Sequence, residues 1–341
     1  MIKEFLKKNQ KKYDQTIEQY FPKKITKSFL EKNFGPGDYD LGAINKCLTT
    51  PIWNYFEQGG KRLRPALFTL VLGCYKDPEP FIQYSIIAEL IHNGSLVVDD
   101  IEDNSDTRRG HPCMHKKFGL DVAINAGNAM YLLPYFILDK ASEHLKSEIY
   151  HLINKTLFML HMGQATDIHW HNNPQPLQEE KYLQMCRMKT GMLTGFSCRM
   201  AGLVGEIKDL DALENFGRAI GIAFQIKDDI LNIEGGDKWG KDFGDDINEG
   251  KMTLLVIHTL DTAPKKDTKR LTEILNLHTN DKKLINEAID IIKKHGAIDY
   301  AKKKAEKIIT QSWKDVEPIL PECKNKKILK ELVDFLVDRE F

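Results

Sequence analysis

The sequence predicts an all-α fold, a single large helical bundle, and three observations lead there. Runs with apolar residues at the 3.6-residue period recur along the whole chain. Alternating runs of β-branched residues bounded by turns do not. Across 341 residues there is no internal repeat and no low-complexity linker, so neither a solenoid nor a string of domains is expected. Length alone would suggest two domains. The missing linker argues instead for one domain over 45–341, carrying a helical appendage at 1–44.

The periodicity places helices near 3–20, 45–58, 66–75, 81–104, 121–141, 147–170, 179–202, 211–233, 251–260, 281–293, 297–313 and 327–339. Stops fall where turn-forming residues cluster: FGPGDYD at 34–40, GG at 59–60, RRGHP at 108–112, NNPQP at 172–176 and the polar stretch 234–250.

Composition removes several classes. The 49 basic and 49 acidic residues cancel, so no overall field recruits nucleic acid. A 42% hydrophobic content with mixed charge is enough for a large core and argues against disorder. Cys47, Cys74, Cys113, Cys186, Cys198 and Cys323 are too far apart in sequence for zinc-knuckle or CxxC patterns and read as reduced thiols. The N-terminus MIKEFLKKNQKKYDQ lacks the apolar core of a secretion signal. The longest uncharged stretch, 122–138, is short for a membrane span and contains Asn125, Gly127, Asn128 and Pro134. A soluble, cytoplasmic protein is expected.

Two acidic segments carry the chemistry. Asp99-Asp100-Ile101-Glu102-Asp103 ends the run LIHNGSLVVDDIED, and Asp228-Asp229-Ile230-Leu231-Asn232 ends AIGIAFQIKDDILN. On a helix, positions i and i+4 share a face, so Asp99 stands with Asp103 and Asp228 with Asn232. Carboxylates following apolar turns are costly unless cations lie between them. Either segment alone reads equally well as a solvated acidic face. Two of them point to hard, oxygen-only ligation of magnesium, which binds through few carboxylates together with substrate phosphates.

Basic residues accompany them. Gly59-Gly60-Lys61-Arg62-Leu63-Arg64-Pro65 sets flexible glycines before three cations, with Pro65 suited to a first helical position. Arg108-Arg109-Gly110 follows the first acidic segment, while Lys189, Lys241 and Lys251 add cations for the second. His161, His169 and His171 come with no HExxH and read as structural or surface residues. Met185, Met188, Met192 and Met200 read as core filler.

These motifs, GGKRLRP, DDIED with NSDTRRG, GQATD, KTG and FQIKDD, resemble in order and spacing those of the all-trans prenyl diphosphate synthases. The resemblance covers about residues 45–341. The phrases LIHNGSLVVDDIEDNS and FQIKDDILN are most similar to the type III geranylgeranyl diphosphate synthases, which also end the second motif in Asn. It implies an isoprenoid-synthase bundle whose central cavity is lined by the two aspartate-rich helices. The implied reaction condenses isopentenyl diphosphate with an allylic diphosphate: the allylic C–O bond ionises, the isopentenyl double bond attacks, and a proton leaves to the released diphosphate.

The same resemblance implies about three magnesium ions, with manganese as the alternative ion, held by Asp99, Asp103 and Asp228. Asp100 and Asp229 would support them, as would Gln164 and Asp167 of the GQATD motif. About +6 from the metals balances about −3 from a diphosphate and −3 from three aspartates. Arg108, Lys189, Thr190, Gln225, Lys241 and Lys251 would serve the allylic diphosphate and its reacting carbon. Lys61, Arg64, His92 and Arg109 would bind isopentenyl diphosphate. The segment 235–250 would close over the site. A homodimer is implied, with 122–138 as the interface candidate.

Product length should be set on the helix before Asp99. At 1.5 Å per residue, Ser95 and Gly94 lie about 6–8 Å below it, Ile91 about 12 Å and Ala88 about 16 Å. Small residues at the first level leave it open, Ile91 forms a partial floor completed by Met130, Tyr131 or Leu132, and a twenty-carbon product is expected. The alternatives are a longer chain, farnesyl diphosphate, a class I terpene cyclase, or a non-catalytic subunit of a heteromeric synthase. A cyclase has no need of the second cation cluster, and non-catalytic subunits commonly lose aspartates.

Overall fold

The computed structural model describes residues 1–173, 176–234 and 244–337. Pro174 and Gln175 of the expected stop at 172–176, Lys241, and the first nine residues of the closing segment 235–250 lie outside the described residues.

The appendage consists of α1 (Ile2–Tyr20), α2 (Lys27–Phe34) and α3 (Leu41–Ile44). A π-helical turn (Asn45–Thr49) leads into α4 (Thr50–Glu57), followed by α5 (Leu63–Leu72), α6 (Ile82–Ser85) and α7 (Ile87–Glu102). After a short hairpin of β1 (Thr107–Arg108) and β2 (His111–Pro112) come α8 (Met114–Phe118), α9 (Leu120–Ile137) and α10 (Glu143–His171). Next are α11 (Glu179–Cys186), a second π-helical turn (Arg187–Gly191), α12 (Met192–Gly205) and α13 (Leu210–Glu234). The bundle continues through α14 (Asp245–Asn248), α15 (Leu254–Thr262), α16 (Lys265–Leu275) and α17 (Lys282–Lys294). Finally, α18 (Ala297–Val316) and α19 (Lys324–Val337) bring the chain back beside α5 and α1.

The long helices follow the apolar period closely. Their starts are set by local capping: the side chains of Ser142, Thr253 and Asp281 accept backbone N–H bonds at α10, α15 and α17. The periodicity had no purchase on α2, α3, α8, α14 or α16, where apolar positions are too few. In KKDTKRLTEIL of α16 only Leu271, Ile274 and Leu275 are buried. Pro65 is the third residue of α5 rather than the first. The hairpin is also unanticipated. Arg109 (φ 55°) and Gly110 (φ 76°) form its tip in the left-handed region, which matches strand twist.

The three helices of residues 1–44 do not hang free of the domain. In α1, Tyr13 and Ile17 are buried, and the Tyr13 hydroxyl donates to Thr69 Oγ1 at 3.0 Å. Burying two such side chains stabilises the contact by about 1.5–3 kcal/mol each.

At the centre, α12 crosses α13 closely because two glycines allow it. A Cβ on Gly217 would lie 2.4 Å from the Thr194 carbonyl oxygen, and one on Gly221 would lie 2.6 Å from Gly191 Cα. Among the described residues one helical stretch, 79–102, is long and apolar enough to span a membrane. It is 61% buried inside the protein over its most apolar window, as a core helix would be.

Candidate active site

The last turn of α7 and the latter half of α13 line one cavity of about 1130 Å³. Asp99 and Asp228 both face it, and so do Lys61, Arg64, His92, Arg108, Arg109, Lys189, Thr190, Gln225, Asp229 and Lys251.

On α7, Asp99 accepts from Gln164 Nε2 at 3.0 Å and lies 3.1 Å from Lys189 Nζ. Burial alone would raise its pKa. Lys189, Lys251 and Arg108 overcome this and hold the carboxylate well below its ordinary range. Lys189 is itself braced by Asp167 at 2.6 Å. Asp103, just past the helix end, pairs with Lys251 at 3.3 Å, though burial still pushes its carboxyl up. Asp100 is fully buried and receives Arg108 Nε at 2.7 Å. It therefore holds Arg108, which also reaches Asp99 at 3.4 Å.

On α13, Asp229 accepts from the Tyr182 hydroxyl at 2.5 Å and from Gln225 Nε2 at 2.9 Å. Burial, with Asp246 beside it, pushes its carboxyl up to about 8. Gln225 accepts in turn from Thr190 Oγ1 at 2.8 Å. Lys189 and Thr190 sit in the π-helical turn, a backbone irregularity frequent at functional sites because it disrupts the regular carbonyl pairing.

Asn232 turns out to act on the backbone. Its Oδ1 accepts from Asp246 N at 3.2 Å, and its carbonyl accepts from Gly244 N at 3.1 Å. These bonds fasten α14 to α13 and bring Asp246, only 8% exposed, into the cavity wall. Asp246 was missed from sequence, yet a signal existed. Asp245-Asp246-Ile247 repeats the Asp-Asp-Ile of the two recognised clusters.

The same cavity is lined by a second set of basic residues. Arg64 Nε is buried with no partner in the protein, and burial with Arg109 nearby lowers its pKa to about 10. His92 is held well below its ordinary pKa by burial and by Arg64 and Arg109, so it is neutral and can accept or donate a hydrogen bond. Arg109 is held against the Gly59 carbonyl and over the Tyr55 ring. The expected three-cation cradle loses one member: Arg62 is 2% exposed and paired with Asp14 and Glu89.

The residues expected to gauge chain length divide. Ser95 lines the cavity. Gly94 does not: it faces α9, where a Cβ would come within 3.0 Å of the Gly127 carbonyl oxygen and of Met130 Cβ. Ala88 and Ile91 are likewise packed in the core. The reason is angular, since two residues one apart on a helix point 100° apart. Met130 is buried behind Gly94, Leu132 is exposed, and Tyr131 alone of the three expected floor residues reaches the cavity.

Among the described residues no three His, Cys, Asp or Glu side chains converge as a ready-made metal cage. Asp99, Asp228 and Asp246 line the cavity; Asp103, expected with them, does not line it and is held by Lys251.

The sequence pattern of the polyprenyl synthetase family matches residues 45–292. The chain belongs to that family. It is 37% identical over 287 residues to a short chain isoprenyl diphosphate synthase of Methanocaldococcus jannaschii, covering 82% of this chain and 86% of the relative. A geranylgeranyl pyrophosphate synthase of Geoglobus acetivorans is 36% identical, with 84% and 89% covered. Among solved structures, the geranylgeranyl pyrophosphate synthetase of Pyrococcus horikoshii superposes with a TM-score of 0.84 at 33% identity, covering 99% of each chain. That superposition takes in most of residues 1–44 as well.

Proposed function

We propose that this polyprenyl synthetase is a trans-prenyltransferase that joins isopentenyl diphosphate to an allylic diphosphate and stops at twenty carbons, as geranylgeranyl diphosphate. One observation carries the reading: a single cavity is lined by carboxylates of both clusters, Asp99 and Asp228 among them, and by the basic set Lys61, Arg64, His92 and Arg109, which pairs with none of those carboxylates in the ion pairs described. Two diphosphates need two such sites. A terpene cyclase, which ionises one diphosphate and condenses nothing, needs only the first.

In this reading Asp99, Asp103 and Asp228, with Asp246 beside them, hold magnesium, which supplies the Lewis-acid charge that makes diphosphate a competent leaving group. Arg108, Lys189 and Lys251 stand next to those carboxylates and steady the negative charge that grows on the departing oxygens. Thr190, through its carbonyl, and Gln225 would steady the allylic carbon from the cavity wall, where their side chains are joined by a hydrogen bond. Across the cavity Arg64 and Arg109 grip the second diphosphate by their forks, with Lys61 at the rim. The prenyl tail runs past Ser95 and Leu96 toward Tyr131 and His161, whose rings meet at 5.7 Å and bound its length.

The reading includes a homodimer built on α9 and α10, supported by the exposure of Ile124, Leu132, Phe158 and Met162. It also includes a cytoplasmic location, supported by six free cysteines.

The test is product analysis with magnesium, labelled isopentenyl diphosphate and primers of five, ten and fifteen carbons. Chromatography after dephosphorylation should give a C20 alcohol from each primer. Purified protein that takes up no label, or that makes hydrocarbon from the primer alone, sinks the reading.

A further inference from the structure

The cationic pocket stands on a turn, and the turn is held from α1. Arg62 occupies the left-handed region (φ 49°) with its side chain enclosed. Its Nε donates to Asp14 Oδ1 at 2.8 Å, and its Nη2 donates to the Phe56 carbonyl at 3.0 Å. Nη1 reaches the Gly59 carbonyl at 3.1 Å and Glu89 Oε1 at 3.3 Å. The same Gly59 carbonyl accepts from Arg109 Nη1. One oxygen thus couples Arg62, which meets no phosphate in this reading, to Arg109, which does.

Resting on the prenyltransferase reading above, we propose that Asp14 is a positioning residue for isopentenyl diphosphate. Its carboxylate keeps the Arg62 fork turned toward the Gly59 carbonyl. Without it, an open acceptor remains on the carboxylate that Arg62 already reaches: Glu89 Oε2 is buried and has no hydrogen-bond partner. The guanidinium then rotates to meet both Glu89 oxygens and lets go of Gly59. Gly59 (φ 97°) and Gly60 (φ 132°) offer no stiffness of their own, so Lys61 and Arg109 lose their common orientation. The carboxylate clusters on α7 and α13 are untouched.

Steady-state kinetics of Asp14→Asn, with each substrate varied in turn, tests this. KM for isopentenyl diphosphate should rise about 10-fold, the loss expected for one charged hydrogen bond, with kcat and the allylic KM held within about twofold. Asp14→Glu, which keeps the charge but lengthens the arm, should show the same split in smaller measure, about 2–4-fold, and carries the test should the Asn variant not fold. Glu79→Gln breaks the pair of α1 with Lys12 away from the cavity and should behave as wild type. An unchanged isopentenyl KM in the folded Asp14 variants overturns the proposal. So does a parallel rise in both KM values, or an equal effect of Glu79→Gln, since each signals general loosening of α1. A wild-type protein without turnover overturns the prenyltransferase reading itself.

Discussion

The acidic ends of α7 and α13 look alike in sequence and differ in how their charge is met. On α7, Asp99 has Lys189 at 3.1 Å and Arg108 at 3.4 Å, Asp100 has Arg108, and Asp103 has Lys251. On α13, Asp229 is met by a phenol and an amide, with a further carboxylate, Asp246, close enough to raise its pKa. The first cluster carries its own cations. In the second, Asp229 itself is held by neutral donors, while Asp246 lies 3.9 Å from Lys251. The two ends therefore differ at their central carboxylates: cations hold Asp99 well below its ordinary range, whereas burial and Asp246 push Asp229 up.

If both ends are needed, Asp99→Ala and Asp228→Ala each lower kcat/KM by about 10²–10³-fold, the scale on which removing an electrostatic contact to the developing charge acts. Near-normal turnover by Asp228→Ala would break the comparison. A smaller effect belongs to Asp246. Asp246→Asn should raise the magnesium concentration giving half-maximal rate about 10-fold while kcat at saturating metal stays near wild type. An unchanged magnesium curve would remove Asp246 from the site.

The smallest effect is on stability. Folded Asp229 keeps its proton up to about pH 8, whereas an unfolded Asp loses it near 3.9. Between those values the folded state binds the extra proton, so its stability declines as pH rises. Melting of metal-free wild type against Asp229→Asn should show the wild type losing ground steadily from about pH 4 to about pH 8. A gap that stays constant across that range would mean Asp229 is ionised throughout.

Helix positions and both aspartate clusters were readable because a 3.6-residue period and a run of carboxylates are local properties. Gly94 was misassigned because small size was read as open space. The side chain it lacks would point at α9, and the glycine exists so that two helices can touch. Asp246 was overlooked because its stretch of glycines and charges carries no helical period, although its doublet repeats the others. Arg62 was counted with Lys61 and Arg64 because all three are cations on one turn.

By itself the sequence determined the inventory: an all-α chain, two acidic helix ends, and enough arginine and lysine for two diphosphates. Only the tertiary structure decided which charges are already spoken for. Arg62 finds Asp14 across 48 residues, and Lys251 finds Asp103 across 148. Periodicity gives the face a residue occupies on its own helix. Whether that face meets a partner, a cavity or another backbone depends on helices brought in from elsewhere. At low dielectric that meeting sets whether a buried charge is free to bind a ligand or is held within the protein.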